Sequence, residues 1–74
     1  MTPERQQVLE VLGELSTLHP VMRMGQWLLM FTCQARGTKP EAVYDVEDEE
    51  LIPLMRAFRD KRKADAAVAQ AQAG

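Results

Sequence analysis

Seventy-four residues, 46% apolar and 27% charged, make one small globular domain rather than a disordered chain. A net charge of −2 does not suit a general polyanion binder, and a lone cysteine, Cys33, excludes an intrachain disulfide. With one histidine beside it, a zinc site built from this chain would need two carboxylates to complete it, and neither metal nor cofactor is expected.

The start, MTPERQQ, is polar, and the longest apolar run, Trp27 to Phe31, falls far short of the roughly 20 residues of a membrane span. The expectation is a chain without signal peptide or membrane contact, cytoplasmic, with an unpaired cysteine that suits a reducing compartment.

The first helix is announced by Thr2 as N-cap, Pro3 at the first helical position and Glu4 in the first turn. Val8, Leu9, Val11, Leu12 and Leu15 recur on one face, with Arg5, Gln6, Glu10 and Glu14 on the polar side. The helix should end near Ser16, because His19-Pro20 resists continuation, and Leu18 should fold back on the core.

A second helix is expected from Val21 to Ala35, stopped by Gly37. Arg23, Gln26, Met30 and Gln34 form a narrow polar stripe at 100° per residue. Val21, Met24, Trp27, Leu28, Leu29 and Phe31 spread around the rest. A helix so widely apolar must be covered on several sides, which makes it the central helix and points to a partner. At this size a core supplies only about 3–5 kcal/mol, so a second subunit is a natural supplement.

Residues 37–46 read as irregular, broken by Gly37 and Pro40, with Val43, Tyr44 and Val46 forming a brief extended piece against the helices. The third helix starts within DVEDEEL, capped by Asp45 or Asp48, and packs Leu51, Leu54, Met55 and Phe58. Pro53 fits if it falls in the first turn. Beyond Lys63 the alanine-rich segment has little to bury, so residues 1–63 are read as the helical domain and 64–74 as a flexible, frayed tail.

The acids Asp45, Glu47, Asp48, Glu49 and Glu50 are read as helix capping in preference to a cation site or docking patch, since no EF-hand pattern is present. Arg56, Arg59, Lys61, Arg62 and Lys63 are candidate phosphate contacts, but lack interleaved aromatics; nucleic acid is the alternative partner and not the favoured one. A Cys33–His19 dyad lacks an identifiable orienting group, so no catalytic residue is assigned. The candidate interface is Arg23, Gln26, Trp27, Met30 and Tyr44. Trp27 and arginine are hot-spot types, although a core role for Trp27, with Arg23 paired to Glu47 or a neighbour, competes equally. Gly25 weakens the helix by about 1 kcal/mol relative to alanine and asks for a reason such as close helix approach.

The segments HPVMRMGQWLLMF and KPEAVYDVEDEEL carry Arg23-x-Gly25-Gln26 and Tyr44-Asp45-x-Glu47-Asp48-x-Glu50-Leu51. This pattern, over roughly residues 9–58, resembles a group of short bacterial proteins in which tryptophan stands more often where Tyr44 stands here. The resemblance implies a small bacterial protein and brings no activity with it.

The combined expectation is an all-α fold: a small bundle of three helices with a short irregular segment between helices 2 and 3. Its expected role is a non-enzymatic protein-interaction module, self-associating as a homodimer or homo-oligomer or serving as a subunit of a larger assembly.

Overall fold

The computed structural model describes residues 1–73, with side chains through Ala71. Among these the chain is helical, with no strand: α1 (Pro3–Leu18), α2 (Met24–Arg36), α3 (Ala42–Asp45) and α4 (Asp48–Ala73). Three are long, and the fourth is a single turn.

α1 begins as its sequence dictates, with Thr2 Oγ1 accepting from the Arg5 N–H at 3.1 Å. It runs two residues beyond the expected stop. The His19 N–H closes it by donating to the Leu15 carbonyl at 2.9 Å, so only Pro20 is fully excluded.

α2 starts three residues later than expected. The His19–Met22 segment instead makes a tight turn, in which the Met22 N–H donates to the His19 carbonyl at 3.1 Å. Gly37, at φ 87°, ends the helix in the region that glycine adopts without strain.

The connecting segment is not extended. Val43 and Tyr44 belong to the one-turn α3, both exposed, while Ala42 is buried and Val46 half-buried. Hydrogen bonds from Tyr44 and Asp45 N–H groups to the Glu41 carbonyl, at 3.0 and 3.1 Å, satisfy the backbone locally where a strand would need a neighbour.

α4 starts at Asp48, and the Glu47 carbonyl accepts its first bonds, from Glu50 and Leu51. Glu47 therefore takes the capping position expected of Asp45 or Asp48. Pro53 lies inside the helix, in the second turn rather than the first. Its missing N–H leaves the Glu49 carbonyl without its intrahelical donor, and its ring faces solvent.

The hub is α4, not α2. α1 and α2 both pack on α4, α3 packs on α2, and α1 and α2 do not pack on each other. The reason is the wide apolar arc of Leu51, Ile52, Leu54, Met55 and Phe58, which serves neighbours on two flanks. Val8, Val11, Leu12 and Leu15 from α1 and Trp27 and Phe31 from α2 complete the core. Leu9 does not join it and is half-exposed.

Arg59 and Lys63 still reach Glu14 of α1, and the helix continues past them, in a molecule whose long axis is 46 Å. Every described side chain from Asp60 to Ala71 is exposed, yet the backbone is helical through Ala73, as alanine favours. Of the tail expected over 64–74, Gly74 lies outside the described residues.

Candidate functional site

Among the described residues ion pairs join eight of the charged side chains, and the pairs that cross between helices set the geometry. Arg5 Nε donates to Asp48 Oδ2 at 2.8 Å, clamping the starts of α1 and α4. Further along, Glu14 of α1 accepts from Arg59 at 3.0 Å and from Lys63 at 2.7 Å. Arg36 makes a two-pronged pair with Glu50, its shortest contact 2.6 Å, tying α2 to α4. The hydrogen bond from Lys63, then those and the charge of Arg59, hold Glu14 below the usual carboxylate range. Arg36 does the same for Glu50. In return Arg36 is raised, first by its bonds to Glu50, with Asp45 and Glu47 adding to the field.

This pairing decides the fate of two candidate clusters. Asp48 and Glu50 of the acidic run neutralise arginines and sit at a helix start, in line with the capping reading. In the basic run, Arg56 bonds Gln7, and Arg59 and Lys63 hold Glu14. The Arg62 guanidinium lies 4.9 Å from the Phe58 ring centroid. Among the described residues Lys61 has no ion-pair partner. Phosphates would have to displace Glu14 from Arg59 and Lys63, whereas Arg56, Lys61 and Arg62 have no carboxylate partner among the described residues. An open trough of about 680 Å³ between the starts of α1 and α4 sits over the Arg5–Asp48 pair, with Leu9 and Val46 in its wall.

The interface candidates separate. Trp27 is core, 1% exposed, and so is unavailable as a surface contact. It stacks on Phe31 (centroids 6.1 Å apart, planes 10° apart) and meets Phe58 edge-on at 5.5 Å. His19 packs at 5.9 Å from it and 6.2 Å from Phe58. Its Nε2 and the Trp27 Nε1 are both buried without hydrogen-bond partners, and no hydrogen bond joins His19 to the half-buried Cys33. Met30 leans against the core, partly buried.

Gln26 is used locally. Its Oε1 accepts from the Arg23 N–H at 2.7 Å, which is half of a capping box at the start of α2. The Arg23 guanidinium can only donate, so it cannot return the bond. It has no ion-pair partner among the described residues, and no bond to Glu47 forms. Tyr44 is 88% exposed.

The sequence reading missed a different surface. Met24 (51% exposed), Leu28 (41%) and Leu29 (58%) of α2, with Val21 (88%) in the turn before it, are exposed. Gly25 sits among them, and a Cβ built there meets nothing within 4 Å. The signal was present in the spacing 24, 25, 28, 29, a second helical face of α2. The density of apolar residues around the whole helix masked it. The described residues offer no grouping of three or more His, Cys, Asp or Glu that could hold a metal, and no helix long and apolar enough to cross a membrane.

Comparison with family models, with curated proteins and with solved structures finds no match to this chain.

Proposed function

We propose that this chain is a non-enzymatic protein-interaction module whose docking face is the outer side of α2. The observation that carries the reading is the uncovered apolar row Val21, Met24, Leu28 and Leu29. Large side chains scattered singly over a surface are ordinary, but three on adjoining turns of one helix, with Val21 in the turn that leads into it, form a patch of the kind that binds protein. The open surface at Gly25 adds to this, because within the chain nothing crowds the position to explain the missing side chain. Trp27 contributes from beneath, as the rigid floor that holds α2 on α4, and Gln26 by fixing where the helix begins.

The test is photo-crosslinking from position 29 in the source cell, with position 61 on the exposed arm of α4 as control. A discrete polypeptide adduct at 29 and none at 61 is the expected result. No adduct from 29, or equal labelling at both sites, overturns the reading.

A further inference from the structure

The docking face of α2, taken as read above, has an occupant that its charge pattern and shape single out. Acids normally sit at a helix N-terminus and bases at its C-terminus, where they oppose the helix dipole. α2 keeps this rule at its end, where Arg36 stands in the last turn, but not at its start. Its first turn holds no acid, and Arg23, without an ion-pair partner among the described residues, stands at its start. Around its far end Glu41, Asp45, Glu47 and Glu50 outnumber Arg36 and Lys39. The pair Arg36–Glu50 cancels, which leaves acid in excess next to Asp45.

Cover is equally lopsided. The C-terminal half of α2 buries Thr32 and carries α3, which among the described residues is the one element besides α4 that packs on it. The N-terminal half, with Val21, Met24 and Gly25, is bare, while Val43 and Tyr44 of α3 project unburied at 52% and 88% exposure. Each copy thus has a bare end and, at the other end of the same helix, apolar side chains with nothing to cover.

We infer that the occupant is a second copy of this chain, its α2 antiparallel to the first across a two-fold axis near Leu28 and Leu29. That arrangement lays Val43 and Tyr44 of each copy over Val21, Met24 and Gly25 of the other. It also brings Arg23 of each beside Asp45 of the other and sets the two helix dipoles head to tail. A two-fold contact is self-complementary, so one bare end matched to one overhanging end is made twice. The flat, Cβ-free patch at Gly25 gives the tyrosine ring room.

Two charge reversals test the pairing. Arg23→Glu puts an acid at the start of α2 and should not lower the melting temperature of a monomer; Asp45→Arg removes an acid from the field of Arg36 and should lower it slightly, a loss that unfolding of the monomer separates from association. The mass in solution is followed by light scattering across a dilution series, with circular dichroism confirming the fold. The wild-type chain is expected to be a dimer, and each single variant to dissociate at a concentration at least about tenfold higher. An equimolar mixture of the two variants should regain wild-type association, because both cross-axis contacts are then Glu–Arg or Arg–Asp. Leu29→Asp should abolish association without the possibility of such rescue.

A wild-type monomer at every concentration overturns the second copy as occupant. The docking face itself would then stand or fall by crosslinking at position 29, where an adduct to a different polypeptide preserves it. A dimer whose mass ignores the charge reversals, or a mixture that fails to restore association, overturns the antiparallel pairing.

Discussion

Replacing Trp27 with alanine separates a core residue from a contact residue by a wide margin. The side chain is 1% exposed and touches the rings of Phe31, Phe58 and His19, so truncation removes the centre of the aromatic cluster. Such a change costs about 3–5 kcal/mol, because neighbouring groups relax only partly into the void. A 74-residue domain has a total of about 4–11 kcal/mol at ordinary stability per residue. The variant should be half unfolded or worse at the low end of that range. At the high end its thermal midpoint should fall by at least about 12 °C, given 4–8 °C per kcal/mol for domains of this size.

The assay is thermal and guanidinium unfolding by circular dichroism, at two protein concentrations so that any coupling to association is visible. Leu29→Ala is the control: 58% exposed, it should change the stability of the monomer by no more than about 0.5 kcal/mol. Trp27→Phe refines the result. It keeps a ring against Phe31 and deletes the buried Nε1–H that has no partner, a group whose burial costs about 1–3 kcal/mol. Loss of volume and removal of the orphan donor oppose each other, so phenylalanine should retain at least about half of what alanine loses. A Trp27→Ala chain that melts within a few degrees of wild type would refute the placement of this side chain and, with it, the packing of α2 on α4.

Pro53→Ala should stabilise the monomer by about 1–2 kcal/mol, since the new N–H can donate to the Glu49 carbonyl while the lost proline rigidity of the unfolded chain offsets only part of the gain; a drop in the denaturation midpoint would contradict an interior position in α4. Truncation after Lys63 should lower helical ellipticity yet leave the midpoint within about 0.5 kcal/mol of the full chain, because the removed side chains are exposed; a large fall in the midpoint would mean that the arm docks. Acid should weaken the fold through Glu14 and Glu50, whose carboxyls are held below their ordinary range. A lowered folded-state pKa gives stability that is complete above the unfolded value of about 4.3 and lost as pH falls through the folded one. Glu14→Gln and Glu50→Gln should therefore flatten the stability curve below about pH 4.5 and leave its shape at neutral pH unchanged; an unaltered acid limb would show the pairs to be ornamental.

What could be read from the sequence was local. Thr2-Pro3, the row Val8, Val11, Leu12, Leu15 and the stop at Gly37 act within a few residues, and the structure uses them as the spacing dictates. The centre of the fold was not legible, because it depends on which of two apolar helices meets two neighbours. Counting apolar residues favoured α2, whereas the deciding quantity is the arc that other elements cover. Ile52 widens that arc on α4, and the proline beside it drew the eye to chain breaking instead. The same count left Trp27 divided equally between core and interface and did not single out Leu28 and Leu29 as the interface. One-turn elements such as α3 leave no periodic trace, and nothing in the spacing shows that the Tyr44 side chain is exposed. The Arg23-x-Gly25-Gln26 pattern is half explained: Gln26 caps the helix, and the guanidinium and the glycine have no use within the chain.

The two charged clusters and the apolar face together constrain what this chain can bind. A polyanion gripping α4 would have to compete with Glu14 for Arg59 and Lys63, and in doing so would loosen α1 from the hub helix. Affinity gained from phosphates would be offset by stability lost from the fold, and what remained would fall steeply with salt. No such opposition exists on the outside of α2. Leu28 and Leu29 take part in no ion pair, and the Gln26 cap lies in the first turn, so a partner over them would cost the fold none of these contacts. Binding on the proposed face would therefore reinforce folding, since a ligand of the folded state alone stabilises it.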